Sequence, residues 1–156
     1  MAKQKDRAAE EFQLDSVLDF MRMLWSIEHG LQRVSKRMNA TLGITGGQRL
    51  VLLVVERFPG VSAKDLARVL HLHPSTITGV LQRLEDKGLL QRKEDARDHR
   101  RVHLHLRKKG TAFTRHRAAT VESAVTRALF RIPDRQIRDA RKVLASIADA
   151  LNQDYT

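Results

Sequence analysis

The apolar positions of this chain follow two different periods, and the switch between them divides it into parts. Val17, Phe20, Leu24, Ile27, Leu31, Val34 and Met38 recur at steps of three and four, which aligns them on one face of a helix. The pattern predicts one long helix over residues 11–42. A second row, Leu14, Leu18, Met21 and Trp25, lies beside the first. Together the rows are wider than one contact within a chain requires. Gly43 supplies a left-handed cap at the helix end. Near the other terminus Ile137, Ala140, Leu144, Ile147 and Leu151 repeat the helical spacing after Pro133, with Asp134 as the expected cap. Residues 110–131 read as one further helix through Phe113, Val121, Val125 and Leu129.

Shorter elements lie between these helices. Thr45-Gly46-Gly47-Gln48 has the spacing of a capping box and opens a helix through Leu50, Leu53 and Val54 that ends near Pro59-Gly60. The two glycines are not a phosphate loop, because no Lys-Ser/Thr pair follows them. Ser62 caps a short helix with Asp65 in its first turn and Leu66, Ala67 and Leu70 as its buried face. His71-Leu72-His73 is a tight connector. Pro74 then occupies the first position of a helix that runs to Lys87 and stops at Gly88. Two short helices joined by so brief a turn form a helix-turn-helix signature. From Leu89 the period becomes two: Leu90 to Lys93 is one strand, Glu94 to His99 a polar loop, and Arg101 to Leu106 a second strand with Val102, Leu104 and Leu106 on one face.

Charge changes the picture more than size does. The chain has 156 residues, with Lys+Arg 29 against Asp+Glu 18, a net charge of +11. Residues 61–110 alone hold 12 basic and 6 acidic groups, more than half of the surplus. An excess placed there points to a polyanion, double-stranded DNA above all, docking on the middle of the chain. There are 0 Cys, which excludes disulfides, zinc-thiolate sites and thiol switches. No apolar run approaches the ~18 residues of a membrane span, and Met1 to Glu11 lacks the make-up of a secretory signal. A cytoplasmic protein without membrane association is expected. No paired acid and base, nucleophile motif or cofactor loop is present, so neither an enzyme nor a cofactor is expected.

The helix over 74–87 carries the candidate chemistry. Ile77, Val80, Leu81 and Leu84 share one side. Ser75, Thr76, Thr78, Gly79, Gln82 and Arg83 occupy the rest. Hydroxyls suit phosphates or base edges, an amide suits adenine, and a guanidinium suits guanine in a major groove. The hairpin tip, Asp95-Ala96-Arg97-Asp98-His99-Arg100-Arg101, offers guanidiniums to a narrow minor groove. Asp95 and Asp98 are placed to hold an arginine in one rotamer by paired hydrogen bonds. The DNA-binding set is Ser62, Ser75, Thr76, Thr78, Gln82, Arg83, Arg97, Arg100 and Arg101. The apolar stripes at the chain ends call for a second copy, with Val17, Phe20, Leu24, Ile137, Leu144, Ile147 and Leu151 at a dimer interface.

The Ser75-Thr76-x-Thr78 helix opening, the Leu84-Glu85-x-x-Gly88-Leu89 exit and the Asp95-x-Arg97-Asp98-x-Arg100 tip resemble the MarR family of bacterial winged-helix regulators. The resemblance covers essentially the whole chain. It implies a mainly α fold with a small β-hairpin wing: a winged helix-turn-helix lobe over 45–107, an N-terminal dimerisation helix over 11–42 and C-terminal dimerisation helices over 108–154. It also implies a homodimer on a pseudo-palindromic operator, most often a repressor, released by a small ligand. Three residues depart from the family pattern. Gly79 stands where a basic residue is frequent, His73 where an Asp or Ser cap is common, and Arg107 where a Thr often caps the next helix.

Two further groups carry weaker signals. Arg22, Trp25 and His29 on the first helix combine a cation, a flat ring and an apolar wall, a candidate effector pocket for an aromatic acid. His103 and His105 alternate along one strand and His71 and His73 flank a turn, but no third ligand joins either pair, so no metal is expected. The alternative to a sequence-specific regulator is an architectural protein that binds DNA without regard to sequence.

Overall fold

The computed structural model describes residues 14–96, 98 and 102–153. Helix α1 spans Ser16–Leu42. Asp15 caps it by accepting a hydrogen bond from the Leu18 amide at 2.9 Å, so the helix starts later than the apolar rows suggest. Leu14 lies ahead of the cap, and residues 11–13 lie outside the described residues. Gly43 closes α1 with φ +71°, a conformation only glycine adopts at no steric cost. Helix α2, Gly46–Arg57, opens on the predicted capping box, both halves of which are formed between Thr45 and Gln48. Its buried face is Val51, Leu52 and Val55 rather than the Leu50, Leu53 and Val54 row, of which Leu50 is exposed.

Helices α3, Ala63–Val69, and α4, Pro74–Asp86, form the helix-turn-helix. Strands β1, Leu90–Glu94, and β2, Val102–Leu106, pair antiparallel in the register Leu90 to Leu106 and Glu94 to Val102. The loop after α2 docks on the outer edge of β2: the Gly60 amide donates to the Leu104 carbonyl at 2.9 Å, and the Leu104 amide to the Val61 carbonyl at 3.1 Å. One core fills this lobe. It comprises Ile44, Val51, Leu52, Val55, Leu66, Ala67, Ile77, Leu81, Leu84, Leu89, Leu90 and Leu104. The alternation in β2 resolves accordingly, with Leu104 buried inward and Val102 near the open end exposed.

Residues 110–131 do not form the single helix that their apolar spacing predicts. Helix α5 covers only Lys108–Arg115, and α6 covers Val121–Leu129. His116 is extended, Ala119 has φ +55°, and a Thr120–Ser123 capping box starts α6 afresh. The cap competes with continuation because the Thr120 hydroxyl and the Ser123 side chain each satisfy a backbone amide that a longer helix would use otherwise. Helix α7 spans Asp134–Gln153. Asp134 is its first helical residue rather than its cap, and Pro133 precedes it, accepting from the Ile137 amide at 3.2 Å. Among the described residues no single helix is long and apolar enough to cross a membrane.

Candidate nucleic-acid interface

The recognition face is set by the way α4 seats in the lobe. Ile77, Leu81 and Leu84 are buried to 1% exposure or less, with Val80 half-buried beside them. That anchoring leaves Ser75, Thr76, Thr78, Gln82 and Arg83 exposed, as the helical wheel predicts. Several of these side chains already have local partners. The Thr78 hydroxyl donates to the Pro74 carbonyl at 2.9 Å and the Gln82 amide to Asp86 Oδ1 at 2.9 Å. Both remain on the outer surface of α4.

The start of α4 departs from the expectation of a weak cap. His73 itself caps the helix: its Nδ1 accepts from the Ser75 amide at 3.2 Å and lies 2.6 Å from the Ser75 hydroxyl. An imidazole nitrogen with a free lone pair thus does the work of the missing Asp or Ser. Arg107, by contrast, makes no side-chain cap bond to α5. Ser62 is committed as the cap of α3, accepting from the Asp65 amide and donating to the Asp65 carboxylate at 2.8 Å. The turn between α3 and α4 carries His71 in a left-handed conformation, φ +50°. The far end of α7 rests on that turn. His71 Nδ1 lies 3.1 Å from Asp149 Oδ1, and the Asn152 amide donates to the His71 carbonyl at 3.2 Å.

The wing follows directly. Arg97, Arg100 and Arg101 lie outside the described residues, as does His99. Asp95 accepts from the Asp98 amide at 3.0 Å through Oδ1, and its Oδ2 lies 3.0 Å from His103 Nε2. It therefore fixes the turn of the tip and meets β2, a use not foreseen from its position two residues before an arginine. His103 is half-buried between Asp95 and the Gly60 carbonyl. It is a structural strut. Among the described residues no three His, Cys, Asp or Glu side chains are grouped as metal ligands. Basic side chains brace the lobe from behind, where Lys87 Nζ donates to the Gly43 carbonyl at 2.6 Å and to Gln48 Oε1 at 3.2 Å.

Arg49, which sequence inspection passes over, is the most unusual buried residue. It is 1% exposed and ties α2 to the break between α5 and α6. Its guanidinium bonds the carbonyls of Phe113, Thr114 and His116 and pairs with the Glu122 carboxylate. Burial by itself raises the pKa of Glu122. Hydrogen bonds from Arg49, the helix backbone and Thr120, with the Arg49 charge, outweigh it and hold the carboxyl below its ordinary range. The one signal in the sequence was an arginine directly ahead of the apolar run Leu50–Val55 of α2.

A largely apolar groove of about 430 Å³ opens next to this junction, lined by Leu31 and Ser35 of α1, Leu50 and Leu53 of α2, and Val121 and Val125 of α6. The three residues read as an effector pocket are not part of it. Arg22 pairs with Asp19 at 2.7 Å, Trp25 is 60% exposed, and His29 lines a separate groove beside Arg33 and Lys36. The sites assigned to a dimer interface are open in the single chain. Val17, Phe20, Leu144 and Leu151 are exposed, Leu24, Ile137 and Ile147 partly so, and Phe130 between α6 and α7 is 84% exposed.

Comparison with known proteins agrees with this geometry. A family model described as MarR family matches residues 42–101. The chain is 36% identical over 97 residues to the HTH-type transcriptional regulator TtmR of Methylorubrum extorquens (strain PA1), covering 62% of this chain and only 49% of the relative. It therefore matches about half of that relative's length. It is 29% identical over 106 residues to the HTH-type transcriptional repressor Rv2887 of Mycobacterium tuberculosis (strain ATCC 25618 / H37Rv), covering 68% of this chain and 76% of the relative. Among solved structures, CouR of Rhodococcus jostii RHA1 bound to p-coumaroyl-CoA superposes with a TM-score of 0.65 at 28% identity, over 86% of this chain and 96% of that one. The helix-turn-helix, the hairpin wing, the flanking helices and these matches together support a winged-helix transcriptional regulator of the MarR type, the family whose model matches residues 42–101.

Proposed function

We propose that this chain acts as a homodimer that binds a pseudo-palindromic DNA operator and represses transcription until a small ligand releases it. The observation that carries this reading is α4. Its apolar side is anchored in the core through Ile77, Leu81 and Leu84, and its outer side offers hydroxyls, an amide and a guanidinium beside a cationic hairpin. That face suits a major groove and the wing suits the adjoining minor groove. The exposed apolar rows of α1 and α7 support twofold pairing, since a surface patch of this extent marks an interface.

The repressor name of the Mycobacterium tuberculosis relative favours a regulator over an architectural DNA-binding protein. The ligand-bound state of CouR supports an effector. In this chain the groove between α1, α2 and α6 is the better candidate for it than the Arg22, Trp25 and His29 set, because it is concave and apolar and touches both lobe and flanking helices. Occupancy there would couple to DNA affinity by changing the spacing of those helices. Capture of genomic fragments by the purified protein tests the proposal. Enrichment of a few fragments with a discrete protected site supports a regulator. Uniform recovery of all fragments would instead support the architectural reading.

A further inference from the structure

We infer that His103 is a positioning residue for the wing and acts as an imidazolium, so that DNA affinity through the wing falls when this one ring loses its proton. The inference rests on the reading of the hairpin as a DNA-contacting wing. His103 Nδ1 lies 2.7 Å from the Gly60 carbonyl oxygen, and Nε2 lies 3.0 Å from Asp95 Oδ2. A carbonyl and a carboxylate can only accept. For both contacts to be hydrogen bonds, both ring nitrogens must carry hydrogen, which only the charged ring allows. A neutral ring keeps one bond and turns a lone pair toward an acceptor at the other.

The two contacts join the loop before α3 to the tip of the hairpin. Gly60 belongs to the loop between α2 and α3, which is anchored to the outer edge of β2. Asp95 opens the tip and fixes its turn through the Asp98 amide. His103 thus ties the tip to the body of the lobe across the hairpin. About one-third exposed, it is shielded enough for the geometry to matter and open enough to exchange its proton.

The charged surroundings push in both directions. Asp95 favours the imidazolium. Lys93, the cross-strand register partner of His103, opposes it, as does any charge on His105, which lies with His103 beside Gly60. The loop at Gly60 adds a backbone dipole and no charged side chain between Phe58 and Ser62. Arg101 lies outside the described residues.

The sign follows from the bonds. They favour the protonated ring in the folded chain, so the brace is complete in acid and is lost as pH rises through the folded-state titration of His103. Two measurements on the full chain test this. The first is a nitrogen-detected NMR titration of the free protein. Both ring nitrogens of His103 should remain protonated at about pH 7.5, above the ordinary histidine range. Asp95→Asn, whose amide can donate to a neutral ring, should move the titration to lower pH. A His103 that titrates as an ordinary histidine, or a neutral tautomer at that pH, would overturn the proposal.

The second is affinity for a fluorescein-labelled A·T-rich duplex at constant ionic strength. Between about pH 6 and 8.5 the wild type should lose roughly three- to tenfold more affinity than His103→Gln, which cannot change charge. Parallel profiles for the two proteins would overturn the positioning role even if the ring proves charged. Absence of duplex binding by the wild type at every pH would overturn that role together with the wing assignment, while the NMR result would still decide the protonation state.

Discussion

Gly79 and Gly110 show how differently two glycines of one lobe are constrained. A Cβ at Gly110 would lie 2.1 Å from the backbone carbonyl oxygen of Leu89, an atom that also accepts from the Arg107 amide. Neither can give way without moving the hairpin off the core. Gly110→Ala should therefore destabilise the protein by about 1–3 kcal/mol, read as a lowered urea midpoint. A Cβ at Gly79 meets nothing within 4 Å. Gly79→Arg should fit without strain, strengthen α4 by roughly 1 kcal/mol, and steepen the fall of DNA affinity with salt by about one phosphate's worth. An unchanged salt slope would mean that this position faces away from the duplex. The two exposed side chains proposed as base readers have their own test. Gln82→Ala and Arg83→Ala should each flatten base preference by roughly 1–3 kcal/mol at one position of the site. Equal losses on all sequences would make them phosphate clamps.

At the scale of the element, the sequence was legible wherever capping chemistry and apolar period agreed. The capping box at Thr45, the Ser62 cap, the Gly43 stop and the change of period at Leu89 all have their counterparts in the structure. It misled where they disagreed. The apolar row from Phe113 to Leu129 runs through a stretch that the Thr120–Ser123 box cuts in two. The break is then held by Arg49, whose partners are backbone carbonyls and a glutamate 73 residues away in sequence, a set that no local pattern encodes. Arg49→Met should cost about 3 kcal/mol, because three carbonyls and the Glu122 carboxylate lose their donor together. The pH dependence follows from the lowered pKa of Glu122. A carboxyl held below its unfolded value stabilises the fold above that value, about 4.3, and the contribution disappears as pH falls through the folded titration. Wild type should thus exceed Glu122→Gln in stability near neutrality. The gap should close in acid, as followed by urea unfolding at a series of pH values.

For the molecule as a whole, the lobe is self-sufficient and the flanking helices are not. Among the described residues the buried apolar side chains other than Met38 belong to the core of the winged lobe, whereas α7 buries none of its side chains. The long stripes on α1 and α7 are readable from sequence because helical spacing is local. Which surface covers them is not, because in the proposed homodimer that depends on a second chain. The Arg22, Trp25 and His29 group illustrates the same limit. Helical proximity brings them together on α1, but a pocket needs walls from other elements, and those walls meet farther along the helix at Leu31 and Ser35. Leu144→Glu combined with Leu151→Glu should give a folded monomer by sedimentation, with operator affinity lost. A double variant that stays dimeric would move the interface elsewhere.

The central claim, two recognition helices presented in duplicate to one straight duplex, is tested most directly by selection of binding sites from random-sequence DNA with the full chain. The account predicts enrichment of an inverted repeat whose half-site centres lie about 10 base pairs, ~34 Å, apart. Recovery of an unsymmetrical single site, or of sequences no different from the starting pool, would contradict it.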